Sequence, residues 1–522
     1  MSSFAEINIA MTGLFAAQRG LAITGNNVAN MNTAGYSRQI LTQEASIPRS
    51  LYGTGMIGTG VSTTGVYRIR DTFYDQKLWA QNDRLGEYEV KSQQNSLIEG
   101  IFGEPTDDAF AKVYTDFFNS INNLSLDPTA AENKTSLYQN MQSFTDYYYK
   151  MSSSLESSQS DLNFELKAVV EEINMYTTRI QSLNQQIFLQ EMHEFGVAND
   201  LRDQRDLCLD ELSKLVNIQA EEVSVYNNQG VEMKQFRVTL NGQTLVDHLD
   251  MRLLALEVRD EKVNDSDLND LYNVVWEDKL PFDMNSSTLS GELKGVIDMR
   301  DGAGTSNTTS TSTYNGIPYY IARLDEFVQT FAEQMNEIYN KDADGNTIVD
   351  EDGFPIYALF SYVDDTGQVV SSNDPNFDYS KITAQNLSIA KEILEDFNYI
   401  RTNFEDDPNS GENPNPGSND LLMQLFDQQY NNKFFNHGTP SEYMISVFST
   451  LGITTSDAKM YYSTQNNVVS AIEQQRMAIS QVDSNEEFMN LIKYNQAYQA
   501  AAKVMNTIDE IYNTTINQLG NF

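Results

Sequence analysis

The residue types that most often carry catalysis are thinly spread in this chain. Its three histidines, His193, His248 and His437, lie far apart. His193-Glu194 is not followed by the second histidine of a zinc-protease helix, and neither a G-x-S-x-G elbow nor a Walker loop occurs. Gly53, Gly55 and Gly58 reproduce a G-x-G-x-x-G spacing, but a dinucleotide site needs a strand before it and a helix starting at its last glycine. Here a further glycine and the alternating stretch Val61 to Ile69 follow, which predicts an extended strand after a glycine hinge or hairpin. Asn340-Lys-Asp-Ala-Asp-Gly345, with Glu351 in the twelfth place, imitates a calcium-binding EF-hand loop. Asparagine opens it in place of aspartate, and Gly353-Phe354-Pro355 stands where a second helix should begin. A β-turn around Asp344-Gly345 is therefore expected ahead of a calcium site.

Asn199 to Val216 string together Asp200, Asp203, Asp206 and Asp210 with Arg202 and Arg205. Carboxylates and arginines three to four apart predict ion pairs along one helix face, in preference to an acidic metal surface. Elsewhere the 74 acidic residues offer many carboxylate pairs of glycosidase type, and no spacing singles one out. Cys208 is the only cysteine, which excludes a disulfide framework and a cysteine metal cluster and predicts a buried thiol in an amphipathic helix. No catalytic residue, cofactor or metal site is expected, and the reading is of a chain that is not an enzyme.

What the sequence does build is helical seams. Leu491, Tyr498, Met505, Tyr512 and Leu519 recur every seven residues, with Tyr494, Ala501, Ile508 and Thr515 three residues after the first four. That is an a/d pattern, which lets one helix lie along another. Asp483 and Glu486 predict a capping box at its start. The outer faces read as Asn, Gln, Thr and Ala with few charges, unusual for a lone solvated helix. At the other end Ile7, Leu14, Leu21 and Val28 form a second seam, with the small residues Ala10, Ala17 and Thr24 between them. Gly13, Gly20 and Gly25 each weaken that helix by roughly 1 kcal/mol relative to alanine, so partners must order it.

Between the ends, Asp71 to Val216 is expected to be helical, with breaks at Gly100–Pro105, Asp127-Pro128 and near Gly196. Its strongest seam is Leu162, Leu166, Val169, Ile173, Tyr176, Ile180, Leu183 and Ile187. Period-two segments separated by Asn-Gly turns predict a β-rich outer domain over 217–290. Thr305 to Thr313 reads as a low-complexity loop, Ile317 to Tyr339 as an amphipathic helix and 341–419 as a mixed insertion. The expected fold is mainly α with a β-rich insertion (α+β, multidomain). Its helical core is discontinuous, drawn from 41–216, 291–340 and 420–481, with 1–40 and 482–522 as a terminal coiled-coil assembly region.

Thirty-four basic against 74 acidic residues leave a formal charge of −40, which opposes binding to nucleic acid or anionic lipid for want of a basic surface. The N-terminal stretch lacks the basic region and unbroken apolar core of a secretory signal, and no apolar run is long enough for a membrane span.

Two motifs at opposite ends carry a resemblance. Asn26 to Gln39 (NNVANMNTAGYSRQ) and Asn490 to Tyr512 (NLIKYNQAYQAAAKVMNTIDEIY) resemble the N- and C-terminal signatures of bacterial flagellar axial proteins of the rod, hook and hook-associated class. Ile57 to Gln76 resembles the segment that follows the first signature. Asn199 to Val216 and Gly291 to Asp301 resemble the hook–filament junction members in particular, which argues against the rival within the class, a hook or distal-rod protein. The resemblance implies a structural flagellar subunit at that junction, exported through the flagellar channel without a cleaved signal. It implies as partners copies of itself, hook protein, a second junction protein (hook-associated protein 3) and an export chaperone on the C-terminal helix. The rival from another class is an exported cell-wall hydrolase or adhesin with helical stalks.

Overall fold

The structure, a computed structural model, describes residues 3–51, 55–103, 110–192, 196–226, 232–305, 312–411, 413–435 and 438–518. His193, His437, Gly53, Leu519 and most of the 305–313 loop lie outside them. The chain opens with α1 (Ser3–Asn30), followed by four strands, β1 (Gln39–Ala45), β2 (Arg49–Leu51), β3 (Gly55–Ile57) and β4 (Val61–Arg68). β1 pairs antiparallel with β4 and β2 with β3, so the chain runs out and back as one long hairpin. The strand expected from Val61 is thus present.

Four helices follow: α2 (Thr72–Phe102), α3 (Phe110–Leu126), α4 (Ala131–Glu191) and α5 (Asn199–Leu215). Asp71 caps α2 through the Phe73 amide, and Gly103 closes it in the left-handed region. α4 is 61 residues long, and every residue of its expected seam is buried except Tyr176, which is half-buried. At about 1.5 Å per residue this one helix spans roughly 90 Å and is the mast of the body.

β5 (Ile218–Tyr226), β6 (Glu232–Leu240), β7 (Gln243–Asp247) and β8 (Asp250–Met251) form an antiparallel sheet in that order, and β9 (Leu254–Val258) pairs with β10 (Tyr272–Trp276). Asn241 and Gly242, at φ 49° and 76°, make the tight turn that joins β6 to β7. This region has no separate core. Val238, Leu240, Val246 and Trp276 belong to the same buried cluster as Leu162, Ile173 and Leu209 of the helices. The sheet is therefore plated onto the helices.

α6 (Glu292–Asp301) and α7 (Ile317–Tyr339) return the chain to the bundle. Phe117, Phe144, Phe327, Phe331 and Phe360 stack through its centre with neighbouring ring centroids 4.9–6.0 Å apart. Residues 341–419 hold the short pair β11 (Phe360–Tyr362) and β12 (Leu387–Ile389), then α8 (Lys391–Glu395). Three turns of one design recur here: the carboxylates of Asp342, Asp350 and Asp364 each accept the amides two and four residues on. The EF-hand-like stretch is the first of these, with Gly345 at φ 83° and a bridge between Lys341 and Thr347. Asp342 is spent on its own loop, and its carboxyl is held below the usual range mainly by the Asn346 amide. Arg401 organises the region. Fully buried, it donates to the carbonyls of Tyr339, Lys341, Phe404 and Asp406 and lies against the Tyr357 ring.

The last three helices are α9 (Asp420–Asp427), α10 (Pro440–Ser480) and α11 (Ser484–Asn513). α10 buries Met444, Val447, Leu451, Thr455, Ala458, Val469 and Ile472 along one stripe, which lies along α2. Among the described residues, no helix is long and apolar enough to cross a membrane.

Candidate assembly site

The two seams meet. α1 lies along α11, with Gly20 against Tyr494 and Asn27 against Glu487, so partner numbers fall as α1 advances and the pair is antiparallel. Ala10, Ala17 and Thr24, the small residues of the α1 seam, are buried, while Ile7, Leu14, Leu21 and Val28 are half-buried. On α11, Leu491, Tyr494, Met505 and Tyr512 are half-buried, Ile508 is buried and Tyr498 is exposed. A Cβ on Gly20 would sit 2.6 Å from the Tyr494 ring, so glycine sets how closely the helices approach. The same test finds open space at Gly13 and Gly25.

A two-helix pair can cover only one face of each member. The rest of α11 carries Phe488, Met489, Ile492, Val504 and Ile511, all more than half exposed, and Phe15 on α1 is half exposed. The heptad reading described that face as merely polar. It is instead a low-charge surface with a second set of apolar side chains off the a/d phase. A lone pair with this much uncovered apolar surface is incomplete by itself.

The cap of α11 also differs from expectation. Asp483 does accept the Asn485 and Glu486 amides. Glu486 does not fold back; with the buried Glu487 it grips the Arg38 guanidinium, at 2.7 and 2.8 Å. The reciprocal capping box occurs at α10, between Thr439 and Glu442.

The Asn26–Gln39 motif makes the corner where the pair joins the body. Asn27 bonds the backbone of Gln39 in both directions and also donates to Glu487. The Tyr36 hydroxyl donates to Asn27, the Ser37 amide and hydroxyl donate to Asp203, and the Arg38 amide takes the last carbonyl of α10, at Ser480. Gly35, at φ 76°, brings the chain against Leu207.

Here the acidic run of α5 finds its use, and the expectation of ion pairs along its own face is corrected. Asp203, Asp206 and Asp210 lie on one buried stripe and reach other elements. Arg68 bonds Asp203 and Asp206 at 2.8 and 2.6 Å, and Arg70 bonds Asp75 at 2.8 Å and approaches Asp206 at 3.4 Å. Asp210 accepts from the Trp79 indole and from Arg476 of α10. Arg202 grips Glu191 and Glu222, while Arg205 lies flat on Phe236. Asp200 reaches Gln39. Burial pushes Asp203 and Asp210 up against the pull of their bonds, whereas at Asp206 the charges of Arg70, Arg68 and Arg205 outweigh burial and hold the carboxyl down. Pairing within the helix was the wrong partner choice because these positions face neighbours, not solvent. The signal was present: three carboxylates on one helical stripe, and arginines in the two extended segments that follow α1. Cys208, on the same helix, is half-buried, with burial pushing its thiol up.

Three family descriptions match along the chain. "Flagella basal body rod protein" covers 7–36, "Flagellar hook-associated protein FlgK helical domain" covers 95–354, and "Flagellar basal body rod FlgEFG protein C-terminal" covers 473–519. The first and last fall on the α1 and α11 ends that form the pair. Flagellar hook-associated protein 1 of Bacillus subtilis (strain 168) is 27% identical over 99% of this chain and 99% of its own length. That of Escherichia coli (strain K12) is 26% identical over 98% and 99%. The fold is similar to that of the flagellar hook junction protein FlgK from Burkholderia pseudomallei, with a TM-score of 0.57 at 15% identity over 78% of this chain and 100% of that one. A helical body with paired terminal helices, matched at both ends by rod-type signatures, defines an axial protein of the bacterial flagellum. Within that class the chain belongs to the flagellar hook-associated protein 1 family.

Proposed function

We propose that this chain is a structural subunit of the junction between flagellar hook and filament, and that its terminal helices complete their folding on assembly. The observation that carries the mechanism is the α1–α11 pair, which buries its narrow seam and leaves Phe488, Met489, Ile492, Val504 and Ile511 open. Neighbouring copies would cover these faces, burying apolar surface at roughly 25 cal/mol per Å². The low charge of the pair favours this, since desolvating charges would offset the gain. The remaining partners of this reading are hook protein below, hook-associated protein 3 above and an export chaperone on the C-terminal helix before assembly. The location is extracellular, reached without a cleaved signal.

Deleting the gene tests the reading. Hooks without filaments and flagellin in the medium are expected, whereas motile cells with intact filaments would exclude the junction role. Leu491→Asp combined with Met505→Asp should abolish incorporation while the body keeps its cooperative melt. Normal incorporation of that double variant would defeat the assignment of the seam.

A further inference from the structure

Among the described residues, the main buried apolar cluster draws on no residue of α1, of the β1–β4 hairpin or of α11; it runs from Trp79 to Leu451. The terminal unit therefore meets the body without a shared hydrophobic core. In its place stands a buried polar cluster in which the hairpin's Arg68 and the adjoining Arg70 meet Asp203 and Asp206 of α5, Asp210 is held by Arg476 of α10, and Ser37 closes on Asp203.

We propose that this cluster is an orientation lock: Arg68, Arg70, Asp203, Asp206, Asp210 and Arg476 fix the angle at which the terminal helix pair leaves the body.

The physical reason lies in directionality. Apolar surfaces slide and re-register at small cost, whereas charge-assisted hydrogen bonds are short and angular, and a guanidinium fork accepts few geometries. A buried ion pair adds little net stability, because desolvation takes back most of the attraction. Breaking one side leaves an unpaired buried charge, so intermediate angles are penalised heavily. Such a junction is a poor glue and a good protractor. The Arg38 amide on the Ser480 carbonyl adds to this, because it occupies the end of α10 and keeps α10 and α11 from joining as one straight helix. The lock is a property of the single chain; its use in setting the geometry of a repeating assembly rests on the junction reading above.

The test is the distance between spin labels on exposed Glu171 of α4 and Lys503 of α11, each replaced by cysteine in a full-length chain carrying Cys208→Ser. The parent should give one narrow distribution. Asp203→Asn with Asp206→Asn keeps shape but strips Arg68 of both its charge partners and leaves Arg70 only Asp75, and should at least double the width while the body's melting transition stays cooperative. Should that pair fail to fold, Arg68→Lys, which keeps the charge but loses the fork, should broaden the distribution by a smaller amount. A parent that is already broad, or variants as narrow as the parent, would overturn the lock. Broadened variants that still complete junctions in cells would overturn its role in assembly alone. Loss of the junction phenotype in the gene deletion bears only on the function proposed above.

Discussion

Three glycines on α1 offer one substitution in three environments. Replacing any of them by alanine should favour the helix by about 1 kcal/mol, since glycine loses the most backbone freedom on folding. At Gly13 and Gly25 a new Cβ meets nothing within 4 Å, so that gain is expected in full. At Gly20 it would lie 2.6 Å from two carbons of the Tyr494 ring and 2.8 Å from the ring atom nearest the backbone. The ring cannot clear that point by swinging its tip, so the helices must part or Tyr494 must change rotamer. Overpacking of this kind costs about 1–3 kcal/mol, which cancels or exceeds the propensity gain. Gly20→Ala should therefore fall about 1–3 kcal/mol below its two siblings, a roughly 5- to 150-fold difference in the opening of the pair. Native-state hydrogen exchange of the α1 and α11 amides reads this directly. Gly13→Ala and Gly25→Ala should slow exchange, and Gly20→Ala should leave it unchanged or hasten it. Adding Tyr494→Ala to Gly20→Ala should recover part of the propensity gain. Equal protection by all three substitutions would refute the antiparallel pairing at this register.

Two further expectations concern the body. Arg401→Met strands four carbonyls around the 341–419 insertion, those of Tyr339 and Asp406 in buried bonds, and should cost about 3–5 kcal/mol in urea denaturation, with hydrogen exchange rising first in that insertion. Asp325 is raised to about 6, chiefly by burial and against the Ala384 amide that it accepts, with Glu156 adding to the rise. A raised carboxyl means the folded chain binds the proton more tightly than the unfolded chain. Its contribution is present below about pH 4 and lost as pH rises through about 6. Asp325→Asn should thus stabilise by up to about 3 kcal/mol at pH 8 and make no difference below pH 4, measured by thermal melts across that range. Stability of the parent falling on acidification between about pH 6 and 4 in step with this residue would contradict the sign.

The order and type of most elements follow from periodicity. The seam of α4 and the run of α7 are long enough that burying one face dictates the helix, and the Asn-Gly turn before β7 works through the φ > 0 its residues tolerate. The absence of zinc-protease, nucleophile-elbow and phosphate-loop motifs could also be read directly, since these need fixed local spacings. What periodicity does not contain is the identity of the partner face. The α5 aspartates had the spacing for pairs on their own helix, yet Asp203, Asp206 and Asp210 bond residues 131–266 positions away along the chain. A strand pattern over 217–290 likewise could not tell a free-standing domain from a sheet laid on α4, because both bury alternate residues. The opening seams show the division most clearly. Sequence alone set their period, their small d residues and their low charge, because these are properties of one helix. Only the tertiary structure decided that they pair antiparallel, that Gly20 and Tyr494 fix their spacing, and that one apolar face stays uncovered. Those depend on which surfaces meet in three dimensions, and a linear pattern carries no record of that.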